Sequence, residues 1–302
     1  MPTESKRLVI LALIANVAIA ITKFAAAAIS GSSAMLSEGI HSLADSGNQL
    51  FVLRGHAASR YDPSVQHPFG RGPEMFFWSF MVAVFLFFGG AVLSIVTGVD
   101  KIRHPSEHGD GFWFSMGVLA VAAFFELVIA FRPALAEFNK RRSGRSVRRT
   151  LQESKDPALL VVLFEDSAAV VGLVIAAVGL SLTEVTGNGR WDGMASVLIG
   201  LLLAAVAWFL AVEMKALLIG ESASREERSM IRAVTFSIEE VDHIGRLLTM
   251  QMSPDEILVN MDVAFDDGLT TDELEDAIAR LEVAIGDAVP SVKGIFIEPV
   301  SG

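Results

Sequence analysis

The sequence contains no cysteine in its 302 residues, which excludes a disulfide framework and any thiolate metal site. It has neither HExxH nor GxSxG, the local signatures of zinc-dependent and serine-dependent hydrolysis. No stretch interleaves basic and aromatic residues in the manner of a nucleic-acid surface. Nor does a small-x-small cleavage site follow the basic start Met1–Arg7. The apolar run behind it therefore reads as a first membrane helix and not as a leader.

What is present is apolar length. Hydrophobic residues make up 52% of the chain and are clustered, which favours membrane spans over one large soluble core. Six stretches approach the ~20 residues a span needs: near Leu8–Ile29, Ala34–Ala57, Met75–Val96, Phe112–Phe131, Ala158–Leu182 and Met194–Leu218. The net charge of −11 is uneven, because after Gly220 acidic residues outnumber basic ones about three to one. Basic residues instead mark particular loops: Lys6 and Arg7, then Arg54, Arg60 and Arg71, then the dense run from Lys140 to Arg149. By the positive-inside rule these loops and both termini lie on the cytoplasmic side.

After Leu218 the pattern changes. Ser222–Phe236 reads as an amphipathic helix, with Ser224 and Glu227 spaced as a capping box. Ile244–Gln251 and Ile257–Phe265 read as strands around a turn at Ser253–Glu256. Ile257, Val259, Met261 and Val263 alternate, so one face of that strand is buried. Thr271–Ile285 is a second helix with Leu274, Ile278, Leu281 and Ile285 on one stripe. Val292–Ile297 is a last strand. The order αββαβ predicts a small α+β domain with its helices on one face of an antiparallel, ferredoxin-like sheet. The expected division is a six-helix transmembrane all-α domain at 1–218 and a cytoplasmic domain at 219–302.

The second span is the least apolar of the six. Glu38, His41 and Asp45 stand at i, i+3 and i+7 and share one helix face. Each charge in the hydrocarbon region costs roughly 2.5–3.5 kcal/mol on insertion scales. Helix-to-helix hydrogen bonding accounts for one polar residue; three on one stripe point to function. His41 and Asp45, one turn apart, both reach a single small cation. The fifth span adds the adjacent acids Glu165 and Asp166. Neighbours on a helix point ~100° apart, so the two do not face one site equally. One histidine with two or three carboxylates suits zinc, iron or manganese; calcium would recruit six or more oxygens. Elsewhere, Lys23 reads as a snorkelling residue near the outer end of the first span. Glu126 reads either as a polar partner to a neighbouring helix or as a proton relay. Asp192 reads as a first-turn charge of the sixth helix. His56, His104 and His108 fall at span ends or in loops, and His243 is the one histidine of the soluble part.

Three motifs in order resemble the cation diffusion facilitator family of metal/proton antiporters: His41-Ser42-Leu43-Ala44-Asp45 on the second span, His67-Pro68-Phe69-Gly70-Arg71-Gly72 in the following loop, and Leu218-Ile219-Gly220-Glu221 at the junction with the soluble part. The Glu165–Ala169 run and the block from Tyr61 to Trp78 resemble the branch with the mitochondrial zinc transporter group and its bacterial relatives. The resemblance implies a homodimeric secondary transporter, not an enzyme, in a bacterial inner membrane. It would export a divalent metal, zinc foremost, in exchange for protons, with the metal as cargo and no resident cofactor. It implies His41, Asp45 and Asp166 as ligands with Glu165 as a fourth; Val162 stands where many relatives have a second histidine. Asp62 and His67 form an incomplete loop site, since Arg71 replaces a second histidine there. A metal-independent sodium/proton antiporter using Glu165 and Asp166 is the alternative; an intramembrane metal-dependent hydrolase is a remoter one.

Overall fold

The computed structural model describes residues 3–105, 111–142, 144, 146–147, 150–151 and 155–301, with backbone alone at residues 3–15, 129 and 141. Arg145, Arg148 and Arg149 of the basic loop, and His108, lie outside the described residues.

Helices α1 (Thr3–Ser30) and α2 (Ser33–Ala58) form a hairpin around Gly31, whose φ of 64° lets the chain reverse between them. Ser32 caps α2 by accepting from the Met35 amide. Helices α3 (Glu74–Arg103) and α4 (Phe112–Lys140) each contain a π-helical turn, Leu86–Val92 and Glu126–Phe131. Helix α5 (Pro157–Thr186) opens on the Asp156 cap with Pro157 in its first turn, and ends at Gly187 in the left-handed region. Helix α6 (Arg190–Ile219) ends at Gly220, φ 110°.

The six expected spans fall on these helices. Among the described residues, α3, α4, α5 and α6 are long and apolar enough to cross a membrane, whereas the Asn16–Ser30 stretch of α1 is shorter. Helix α2, interrupted by Glu38, His41, Asp45 and Asn48, is not among them. Trp113, Phe88, Val174 and Trp208 stand exposed on the outside of the bundle, as lipid-facing residues do. Inside, Phe76, Leu86, Leu160, Leu203, Leu210 and Met214 form one apolar core. Without water to expel, close helix contact relies on small residues. At Gly98 and Gly193 a Cβ would come within 2.7 and 2.8 Å of the other residue's carbonyl oxygen, so α3 and α6 touch backbone to backbone.

Beyond Gly220 come α7 (Arg225–Thr235), β1 (Val241–Ser253), β2 (Glu256–Phe265), α8 (Thr271–Ala288) and β3 (Val292–Val300). The Ser224–Glu227 capping box is formed, with each side chain bonded to the other residue's backbone N–H. The sheet order is β1-β2-β3. The expected antiparallel sheet is corrected here to a mixed one: β1 pairs antiparallel with β2, and β3 pairs parallel with it. The cause is the connection. Helix α8 carries the chain back along the sheet before β3 begins, as a parallel crossover requires. Ile257, Val259, Met261 and Val263 face a second core with Ile231, Ala277, Leu281 and Ile285.

The two parts meet through the loop after α2. Phe69 stacks edge-on against Phe296, and the Arg71 guanidinium lies 5.5 Å from the Tyr61 ring centre. Lys155, just before α5, pairs with Glu221 at 2.5 Å.

Candidate metal centre

Helix α2 places its polar residues by helical spacing. His41 is buried, and its Nδ1 lies 3.5 Å from Asp45 Oδ1, longer than a good hydrogen bond. Both ring nitrogens of His41 and Asp45 Oδ1 are enclosed and have no hydrogen-bond partner among the described residues. Asp45 and Glu165 lie within electrostatic reach of each other across the α2–α5 interface. Asn48, one turn further along α2, donates its amide to Glu165 Oε1.

Of the adjacent acids on α5, Glu165 is therefore the one set against α2. Asp166 lies at the edge of the same cluster, with Oδ2 enclosed and without a partner among the described residues. It stands within electrostatic reach of Glu165 and of Glu126 at the start of the π-helical turn in α4. Glu126 acts in turn on Asp45. Four carboxylates from α2, α4 and α5 thus form one electrostatic network, which His41 reaches through Asp45. Among the described residues, no three His, Asp or Glu side chains converge on one point as they stand. Val162 of α5 is exposed at 41%.

Glu38 belongs to the same stripe of α2, but its carboxylate does not join the acids. It pairs with Lys23 of α1, Nζ to Oε2 3.0 Å, with both side chains fully buried. Lys23 also donates to Ser42 Oγ at 2.7 Å. The expectation that Lys23 snorkels is corrected by this pairing: its ammonium has a carboxylate inside the bundle and no need of the surface. Neither this pair nor Asn48 was expected from the sequence. The hairpin offered a signal for the pair. Lys23 lies eight residues before Gly31 and Glu38 seven after it, so antiparallel helices bring them level.

Asp192 is fully buried and is more than a first-turn charge of its own helix. It caps α2, accepting from the Ser32 hydroxyl, the Ser33 amide and hydroxyl, and the Ala34 amide. A carboxylate there meets the positive end of the helix dipole and satisfies open N–H groups. Ser37 and Ser196 share a further buried hydrogen bond between the same two helices. The end of α2 that leads to the ligand pair is thereby fastened to α6.

Asp62 and His67 are both exposed in the loop after α2. Asp62 lines a cavity of about 810 Å³ with His56, Arg60, Arg71 and Glu256, and His67 does not.

The cation efflux transmembrane domain family matches residues 9–219. The human mitochondrial proton-coupled zinc antiporter SLC30A9 is 32% identical over 252 residues, 82% of this chain and 44% of that protein. The chain thus spans under half the length of that relative. The manganese efflux system protein MneP of Bacillus subtilis is 22% identical over 300 residues, 97% of this chain and 95% of the relative. Among solved structures, a nickel form of a MamM C-terminal domain covers 26% of this chain at 12% identity and a TM-score of 0.24.

Proposed function

Because the chain belongs to the cation efflux family, a family of transporters and not of enzymes, we propose that this integral membrane protein moves a divalent transition metal, zinc foremost, out of the cytoplasm in exchange for protons. The observation that carries the reading is the enclosed His41, with both nitrogens unpartnered among the described residues, beside an unpartnered oxygen of Asp45, while Asp166 on α5 holds another. Buried polar atoms are nearly always satisfied, and here a neutral imidazole and carboxylates are the donors a borderline divalent metal takes. The human relative's name supplies zinc and proton coupling; the Bacillus relative's name supplies manganese as the rival cargo.

In this reading His41, Asp45 and Asp166 bind the ion, and Glu165 is either the fourth ligand or the proton carrier beside it. The closeness of Asp45 and Glu165 supports the second role: in this reading the two carboxyls share a proton, and a metal binding Asp45 displaces it. Protons arriving from the far side restore the contact and release the metal. Rocking of the helices about this buried site exposes it to each side in turn. We further propose six spans with both termini cytoplasmic, a transport domain at 1–218, a cytoplasmic domain at 219–302 that supports a homodimer, and a bacterial inner membrane as the location. The metal is cargo and not a cofactor.

The test is metal-dependent proton flux in proteoliposomes, scanned across zinc, manganese, iron, cobalt and cadmium. His41→Ala, Asp45→Ala and Asp166→Asn are expected to abolish it while the protein stays folded. Glu165→Gln is expected to retain metal binding with an altered pH dependence. Wild-type flux from any two of the first three variants overturns the ligand set.

A further inference from the structure

Lys23 is a buried charge that the transport cycle above leaves unused. It is fully enclosed, anchored by Glu38 at 3.0 Å and Ser42 at 2.7 Å. Glu38 is anchored less completely. Its Oε1 has no partner among the described residues and points at Gly172 of α5, where a Cβ would come within 2.5 Å of it. The pair therefore sits where α1, α2 and α5 meet. A buried ion pair recovers its desolvation cost only with good geometry and further hydrogen bonds, and is often no more stabilising than an apolar pair of the same volume. Fold stability alone is a weak reason for this one.

Its position supplies another. Glu38 is three residues before His41 and Ser42 directly follows it, so the ammonium lies within about one helical turn, ~5 Å along the axis, of the ligand pair. The charge on Lys23 acts on His41, Asp45 and Glu126 through space. Glu38 acts on Glu126, and its free oxygen is turned toward Gly172. The positive end of the pair faces the cluster of acids.

We propose that Lys23 is a resident counter-cation of the transport site, an affinity-setting residue that Glu38 and Ser42 hold beside His41 and Asp45. It offsets part of the charge of Asp45 and Glu126, and so keeps an arriving divalent ion from binding too tightly to leave. The inference rests on the transport reading. A fixed positive charge about 10 Å from a doubly charged ion, at an effective dielectric of ~20, alters its affinity by at least about tenfold.

Zinc titration of the full chain in detergent, paired with zinc uptake by proteoliposomes, tests this. Lys23→Met together with Glu38→Gln removes both charges at nearly constant volume. The expected result is zinc binding about threefold tighter, because the two paired charges offset most of each other's field at the site, with KM and kcat both lowered because release becomes slow. Glu38→Gln alone leaves the ammonium unneutralised, and binding is expected to weaken by at least about tenfold. Lys23→Arg keeps the charge and is expected to restore wild-type affinity. A purely structural pair would weaken binding in every variant or leave it unchanged. Zinc binding by the folded double variant that is equal to or weaker than wild type overturns the proposal. Should the double variant not fold, unchanged affinity in Glu38→Gln overturns it instead. Absence of zinc binding and transport in the wild type would count against the transport reading itself, a separate outcome.

Discussion

At Gly172 the side chain is a single hydrogen because Glu38 needs the space. Gly172→Ala would put a methyl carbon 2.5 Å from Glu38 Oε1, and overpacking of this kind costs about 1–3 kcal/mol. The expected outcome is a lower unfolding midpoint in detergent. Asp192 carries a comparable load. Asp192→Asn removes the charge from four hydrogen bonds to the start of α2. Bonds to charged groups contribute roughly 1.5–3 kcal/mol, so thermal unfolding should show a loss of that order. The histidine and the acids of α2 were legible in the sequence from spacing alone. Asn48 and the reach of Asp192 were not, because each acts on a distant helix and a single sequence shows only its own helix faces; the Lys23–Glu38 pair needed the turn at Gly31 to be counted as well.

Among the elements, the soluble part shows what periodicity carries and what it omits. Alternation in β2, the stripe on α8 and the Ser224–Glu227 box all follow from local pattern, and each is formed. Strand direction does not follow, because the same alternation suits a parallel or an antiparallel neighbour; the crossover through α8 decides it. That helix also starts on a box. Thr270 and Glu273 cap each other, and the backbone N–H of Thr270 holds the Glu273 carboxyl below the usual range, its hydroxyl adding to the effect. A carboxyl lowered in the folded state stabilises fully above its unfolded value, and the gain is lost as pH falls through the lower, folded value. The protection factors of the amides in the first turn of α8, taken relative to the unstructured chain at the same pH, should therefore fall as the solution is acidified through that range. Thr270→Ala should lower them at neutral pH as well, by an opening free energy smaller by about 1 kcal/mol. Protection in that turn that does not change with pH would show the cap to be without effect.

For the whole molecule, contacts between the two parts among the described residues include Phe69 against Phe296, Gly72 against Met252, and the Lys155–Glu221 pair. In the dimeric reading proposed above, the part beyond Gly220 joins two copies without touching the ligands on α2. Truncation after Gly220 is expected to shift the protein from dimer toward monomer, as read by light scattering, while zinc affinity in the membrane part changes little. Tight zinc binding by the removed segment would contradict that division, and His243 is the one histidine it contains. The fastening of α2 to Asp192 has one more consequence, for biosynthesis. Helix α2 emerges from the ribosome long before α6, yet the carboxylate that completes its first turn arrives about 160 residues later, as the Ser32–Asp192 separation shows. Until then a polar helix waits in or beside the bilayer with open amides and an unfilled site. Nascent chains halted after α5 should consequently be extracted and degraded, whereas chains halted after α6 should persist, with pulse-chase lifetimes separating the two.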